Sequence, residues 1–278
     1  MAKGGLGLGY IPKKSPVHRL TGASKLLMVV LVSLACMITY DTRFLLAVIV
    51  ASLTMFAVAK VPLRDMRVIL TLIGIFMLLN NVFIFLFSPE EGVGIYGTRH
   101  VIEHLIGRYT LTQEQLFYQL NVTLKYFSIV PMALIFFVTT EPSEFASSLN
   151  KVGINYKAAY SVSLALRYIP TIQREYIEIS QAQQARGADI SKGAKFTNRV
   201  KGLISIAFPL IVTSIDKIEI ISYAMELRCF GKNKTRTWYR ERAFSKADYI
   251  VIIVSFLLVA AAVVLNIMNG GRFYNPFL

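Results

Sequence analysis

The chain has 278 residues, 55% of them hydrophobic, and a formal charge of +14 from 30 Lys and Arg against 16 Asp and Glu. Apolar residues above the roughly 45–50% of a soluble domain, gathered into long runs, argue against a soluble nucleic-acid binder and for a membrane protein whose cations mark one face of the bilayer. Cys36 and Cys229 are too few and too far apart in sequence for a disulfide scaffold or a metal site.

Residues 1–24, opening "MAKGGLGLGYIPKKSPVHRL", are polar and glycine-rich and contain no signal-peptide apolar core, which predicts a cytoplasmic segment and a retained first span. Apolar runs at 25–40, 43–59, 66–87, 121–140 and 249–268 predict five spans, the first two short and joined by a tight turn at Asp41-Thr42. Between the third and fourth lies a loop, 88–120, of mixed charge. It contains "HVIEH", a match to the H-x-x-E-H pattern of one zinc-peptidase class. On a helix His100 and His104 would share a face, as a metal site needs. With no third ligand following, the expectation is a solvated loop and a chance match.

Residues 141–248 are too long for a connector and too basic to lie in lipid. Glu141-Pro142-Ser143-Glu144 is a helix-start signal and predicts a short amphipathic helix over 142–150. Long helices follow over 156–186 and 194–229, each with a central proline, Pro170 and Pro209, that should kink it. At a rise of 1.5 Å per residue, a helix of about 30 residues spans roughly 45 Å. "LISIAFPLIVTSI" at 203–215 is too short for a sixth span and fits a buried or interfacial segment. The sequence thus predicts an all-α membrane protein with about five transmembrane helices, plus a cytoplasmic domain of one short and two long kinked helices. Lys3, Lys13, Lys14, Arg19 and Lys25, then Lys60, Arg64 and Arg67, then seventeen cations in 141–248 all fall on one side; Arg43, Arg99, Arg108, Lys125 and Arg272 fall on the other. The positive-inside rule then places the N-terminus in the cytoplasm and the C-terminus, 269–278, outside.

Each long helix ends in an arginine with a glycine close behind: Ala185-Arg186-Gly187, and Leu227-Arg228-Cys229 before Phe230-Gly231. One reading is dipole compensation at an exposed helix end, worth a few tenths of a kcal/mol. The other is an interface. The pattern recurs on two consecutive helices, the neighbours are small or apolar, and a guanidinium among them can fork onto a carboxylate in a partner's groove.

These features resemble one family, the T component (transmembrane scaffold) of energy-coupling factor (ECF) transporters. The resemblance rests on "YIPKKSPVHRLTGASKLL", "LALRYIPTIQREYIEISQAQQARGAD", "SIAFPLIVTSIDKIEIISYAMELRCFG" and the five-span layout, so it covers essentially the whole chain. The departure is Leu227-Arg228-Cys229, where a small triplet such as Ala-Arg-Gly is common. The resemblance implies a cytoplasmic coupling domain. Two ABC-type ATPase subunits would take Ala185, Arg186 and Gly187 at one end and Leu227, Arg228 and Cys229 at the other. A small substrate-binding S component would contact Leu203, Phe208 and Leu210 and the segment around 142–150, for uptake of a vitamin or metal ion. It implies a non-catalytic subunit without cofactor, its ATP bound by the partners. Consistent with that, no G-x-x-x-x-G-K-[ST] occurs; "GKNKT" at 231–235 lacks the spacing. The predicted spans offer few polar groups, chiefly Ser33, Thr54, Asn80, Asn81 and Lys125, which weighs against a stand-alone secondary transporter. A permease of a conventional ABC transporter, coupling through one short helix, and an intramembrane hydrolase built on "HVIEH" are further alternatives.

Overall fold

The computed structural model describes residues 15–61, 66–104, 109–187, 196–233, 237–239 and 242–277. The opening motif through Lys14, together with Arg64, Arg108, Ala188, residues 194–195 and residues 234–235, lies outside them. In chain order the elements are α1 (Pro16–Arg19), α2 (Gly22–Ile38), α3 (Thr42–Ala59), α4 (Arg67–Phe87), α5 (Glu91–Tyr96), β1 (Val101–His104), β2 (Thr110–Thr112), α6 (Gln113–Thr139), α7 (Pro142–Lys151), α8 (Tyr156–Ala185), α9 (Phe196–Leu227) and α10 (Lys246–Met268). The fold is that of an all-α membrane protein, with one small hairpin. The chain divides into two compact units, Met1–Ser148 with Arg242–Leu278, and Leu149–Glu241.

In the first unit α3, α4, α6 and α10 are long and apolar enough to cross a membrane, with mean hydropathies of 1.8 to 3.0. The remaining expected span, α2, has 17 residues and is about 26 Å long, short of a hydrocarbon core of roughly 30 Å. It packs along α10 through Ala35 and Ala262, both without exposed surface. Small residues let two backbones approach closely where lipid gives no hydrophobic drive to associate. Met28, Val32, Cys36, Phe44, Leu45, Val48 and Met132 complete this core, and a second core joins Ala59 and Met66 to Leu134, Ile135 and Val138 of α6. α4 is the exception. Only Met77 of it is buried, and it meets α6 through a polar seam: Asn81 Nδ2 donates to Thr123 Oγ1 at 3.1 Å, and Gln119 Nε2 donates to Asn81 O at 3.2 Å.

The expected fourth span begins eight residues earlier than the apolar run suggests. Its first turn, with Glu114 and Gln115, is polar yet fully buried. Glu114 accepts from the His100 N–H and from Thr98 Oγ1, and Gln115 Oε1 accepts from the Gly92 N–H. The expected loop 88–120 is therefore an ordered cap built from α5, the antiparallel β1–β2 hairpin and the start of α6. Val101–His104 of "HVIEH" form a strand and not a helix, with an irregular register between Val101 and Glu103, so neighbouring Glu103 and His104 point to opposite faces.

At the opposite end of this bundle the helix termini meet in a buried polar clasp. Thr21 caps α2, and Ser245 caps α10 in a reciprocal capping box with Asp248. Asp248 Oδ1 accepts from the Thr21 N–H at 2.8 Å, Thr21 Oγ1 at 3.0 Å and Ser24 Oγ at 2.5 Å. Its Oδ2 accepts from Ser245 N–H and Oγ at 2.8 and 2.7 Å. Beside it the Gly22 N–H donates to Glu144 Oε1 at 2.8 Å, Lys25 Nζ donates to Thr139 O at 2.8 Å, and Arg242 reaches both Glu144 and the His18 carbonyl. Lys25, expected at the membrane surface, is fully buried. Gly22 is required here, because a Cβ would run into Ser148 Oγ and lie 3.0 Å from Glu144 Cγ.

In the second unit α8 and α9 pair. Both run unbroken through Pro170 and Pro209. Their ends are fixed by Phe230, whose ring lies 5.7 Å from Tyr156 and 4.8 Å from Tyr160, and their middles by a Lys217–Glu175 ion pair.

Replacing Asp248 by Asn keeps one acceptor oxygen and sets an amide N–H₂ against the two donors that Oδ2 serves, the Ser245 N–H and Oγ. The expected cost is about 3 kcal/mol, the scale of breaking a buried charged hydrogen-bond network. It should appear as a lowered melting temperature of the detergent-solubilised protein, and an unchanged melting temperature would refute the clasp's structural role.

Candidate functional site

The two contacts within the α8–α9 pair define its direction. Phe230 faces Tyr160, and Lys217 faces Glu175, so sequence falls along one helix as it rises along the other: the helices are antiparallel. Extending that register brings the end of α8 opposite residues near 204 of α9. Arg186 and Arg228 therefore sit at opposite ends of the pair, separated along its axis by roughly 24 residues, or about 36 Å.

Both arginines occupy the C-cap position, which the sequence pattern indicated. After α8, Gly187 takes the left-handed conformation at φ +90° and its N–H bonds back to Gln184 O at 3.0 Å. After α9 the full Schellman arrangement is present: the Cys229 N–H bonds to Glu226 O and the Phe230 N–H to Met225 O, each at 2.9 Å. Cys229 carries the left-handed residue of that turn at φ +52°. A side chain there costs about 1 kcal/mol relative to glycine. Where the sequence showed a departure around 227–229, the backbone conformation is nonetheless the one a glycine would supply.

Ala185, Arg186, Gly187, Leu227, Arg228 and Cys229 are all exposed, and Leu227 is 86% exposed at the tip of its helix. Each end thus displays a guanidinium fork, beside Leu227 at the end of α9 and beside the small Ala185 at the end of α8.

Of the other residues singled out in sequence, Phe208 is 69% exposed and belongs to a stripe with Ile204, Ile211, Ile215 and Ile218, all exposed. Their spacing of three and four places them on one helix face. Leu203 and Leu210 lie about 100° or more around the helix from that stripe, toward the side of Lys217 and buried Ile206 that meets α8. They flank the helix pair, so the exposed isoleucines fit a docking surface better. α8 adds Ile169, Ile172 and Tyr176, also exposed. The alternation of burial along α9 was not visible before its partner's position was known.

His100 is engaged with Glu114, its Nδ1 2.7 Å from Oε1, and its ring stacks on Phe277. Glu103 and His104 are exposed, and among the described residues no group of three His, Cys, Asp or Glu side chains is placed to hold a metal ion. The hydrolase alternative loses its helix.

The clasp residues Glu144, Arg242 and Asp248 were missed as a constellation. Ser245-Lys246-Ala247-Asp248 is a visible capping box, but its partners at Thr21 and Ser24 stand over two hundred residues away.

The chain thus has a multi-pass membrane unit, helical apart from the β1–β2 hairpin, and a second unit whose two long helices pair antiparallel and each end in an arginine, the class of a helical membrane protein. Sequence comparison agrees. Residues 13–239 match the CbiQ family, described as cobalt transport protein. The chain is 30% identical to the energy-coupling factor transporter transmembrane protein EcfT of Bacillus selenitireducens, over 94% of this chain and 97% of that one. It is also 30% identical to EcfT of Limosilactobacillus fermentum over 92% and 97%, and 28% identical to that of Brevibacillus brevis over 90% and 94%. The chain belongs to the CbiQ family, as a transmembrane T component of ECF transporters.

Replacing Cys229 by Gly should relieve the left-handed strain by about 1 kcal/mol. Amide exchange at the Phe230 N–H, which closes the Schellman turn, should then slow about fivefold if local opening governs it.

Proposed function

We propose that this protein is the mechanical coupling subunit of an ECF-type importer for a vitamin or metal ion. One ATPase subunit takes Ala185, Arg186 and Gly187, and a second takes Leu227, Arg228 and Cys229. A small substrate-binding S component rests on the apolar face of α9 that includes Phe208, with Leu203 and Leu210 at its edge, and on the segment around 142–150. ATP is bound and hydrolysed in the partners, and this chain carries no cofactor or catalytic group of its own. The N-terminus is cytoplasmic and the C-terminus external, a reading the cation distribution supports.

The observation that carries this reading is the antiparallel register. A parallel pair would bring both arginines to one place, fit for one partner. An antiparallel pair holds them about 36 Å apart, fit for two. When the two motors approach or separate on nucleotide turnover, each pulls on its own helix. The Lys217–Glu175 pair and the Phe230 contacts then convert that motion into sliding or scissoring of one apolar surface.

Arg186→Glu or Arg228→Glu should abolish ATPase co-purification or substrate uptake while leaving membrane insertion intact. Uptake at wild-type level in both single variants would refute the assignment. Orientation has a separate test. Cys229 is exposed and Cys36 is buried in the chain without partners, so when the chain is expressed without ATPase subunits a membrane-impermeant maleimide should label inside-out vesicles at Cys229 and leave intact cells unlabelled. The reverse pattern overturns the orientation.

A further inference from the structure

The second unit holds a polar cavity of about 570 Å³ beside the turn that follows α9. Lys157 and Lys232 line it with Asn150, Asn155, Tyr156 and Gly231. Both lysines are exposed, and among the described residues neither has a carboxylate within ion-pair distance. Lys157 Nζ lies close to Gly231, 3.5 Å from where a Cβ would stand, so the cation sits against bare backbone. Tyr156 is 5% exposed, and its hydroxyl is buried without a hydrogen-bond partner. Two cations and a spare donor suit an anion with several acceptor oxygens.

The surroundings indicate what carries that anion. Trp238 Nε1 donates to Asn150 Oδ1 at 3.1 Å, which fixes the indole beside the cavity. Tyr239 is fully exposed, and Val152 and Ile154 are large exposed apolar side chains on the connection between α7, which carries Asn150, and α8. Tryptophan, tyrosine and isolated apolar side chains around lysines are the composition of a membrane–water interface. A site for a free anion has no use for them. In sequence, residues 228–242 carry Arg228, Lys232, Lys234, Arg236, Arg240 and Arg242 against one acid, Glu241, immediately before α10. Basic clusters next to a span bind anionic lipid.

We propose that this cavity binds the phosphate of an anionic phospholipid headgroup, with Lys157 and Lys232 supplying the charge and Trp238 and Tyr239 lying at headgroup depth. The lysines take the phosphate oxygens, Tyr156 offers a hydroxyl, and Val152 and Ile154 meet the glycerol region. The helix pair would thereby be tethered to the lipid surface at its Tyr156–Phe230 end, independently of any ATPase.

Trp238 is the only tryptophan in the chain, so its fluorescence reports this site alone. The full-length protein is reconstituted into phosphatidylcholine vesicles containing phosphatidylglycerol, with bromine near the glycerol end of the acyl chains of one lipid or the other. Brominated phosphatidylglycerol should quench Trp238 more strongly than brominated phosphatidylcholine at equal mole fraction. Lys157→Gln with Lys232→Gln should lower that preference roughly thirtyfold, at about a kcal/mol for each of the two cations. Lys157→Arg with Lys232→Arg should retain it, which separates loss of charge from loss of folding. Equal quenching by the two lipids, or a preference unchanged in the glutamine variant, overturns the proposal. So does competition by millimolar inorganic phosphate that removes the preference outright, which would identify a free-anion site. Loss of ATPase association in the glutamine variant with no change in quenching would make the cavity a protein interface and also overturn it. Arg186→Glu should leave the phosphatidylglycerol preference intact, so this test can fail or succeed apart from the coupling proposal.

Discussion

One carboxylate organises the membrane unit. Asp248 accepts five hydrogen bonds, three on Oδ1 from Thr21 and Ser24 and two on Oδ2 from Ser245. Each helix begins with N–H groups that have no partner within the helix, and in lipid or buried protein no water replaces that partner. Here one side chain serves the starts of α2 and α10 together. It fixes their relative height and lets Ala35 meet Ala262 along the helix faces. Glu144 does the same for Gly22 while standing in the first turns of α7. The exit from α6 into α7 is thus tied to the start of α2, and Lys25 closes the group by donating to the last turn of α6.

The far end of the bundle uses a different device. Tyr40 stacks on Phe273 with ring centroids 4.6 Å apart, and Tyr96 meets Phe117, Phe273 and Phe277. Lys125 lies over the Tyr40 ring at 3.8 Å and Arg43 over Tyr274 at 4.0 Å. Desolvation pushes the Tyr96 phenol up to about 12, partly offset by its hydrogen bond with Asn121, so that end stays uncharged at the ring and depends on aromatic packing. A charged clasp at one end and an aromatic one at the other leave α4 as the least embedded helix. Its surface is the natural one for lipid or for another membrane protein.

Much of this was legible in the sequence because the bilayer imposes a simple rule: about twenty apolar residues make a span. Runs of that kind matched α3 and α4 to within one residue, and α10 at its end but three residues late at its start. They failed at α6, where Glu114 and Gln115 open the helix, because counting apolar residues cannot reveal polar side chains buried against a folded cap. The arginine ends were legible because helix termination is local: a C-cap followed by a left-handed residue needs only a few neighbours. The antiparallel register was not legible, since it depends on Phe230 finding Tyr160 and Lys217 finding Glu175. For the same reason the sequence did not show that Leu203 and Leu210 lie beside the exposed stripe through Ile204, Phe208 and Ile211.

The clasp also constrains how the chain can be made. Thr21 and Asp248 are 227 residues apart. At roughly 5–20 residues per second, the ribosome needs on the order of ten to forty seconds to produce the second after the first. Lys25 and Gly22 gain Thr139 and Glu144 midway through that interval, but Thr21 and Ser24 wait for their carboxylate until its end. A nascent chain in this condition must be sheltered by the insertion machinery or by water at the headgroups until the final helix arrives. Biogenesis therefore ends with its most consequential contact, and a polypeptide released before that point has no way to seal its own beginning.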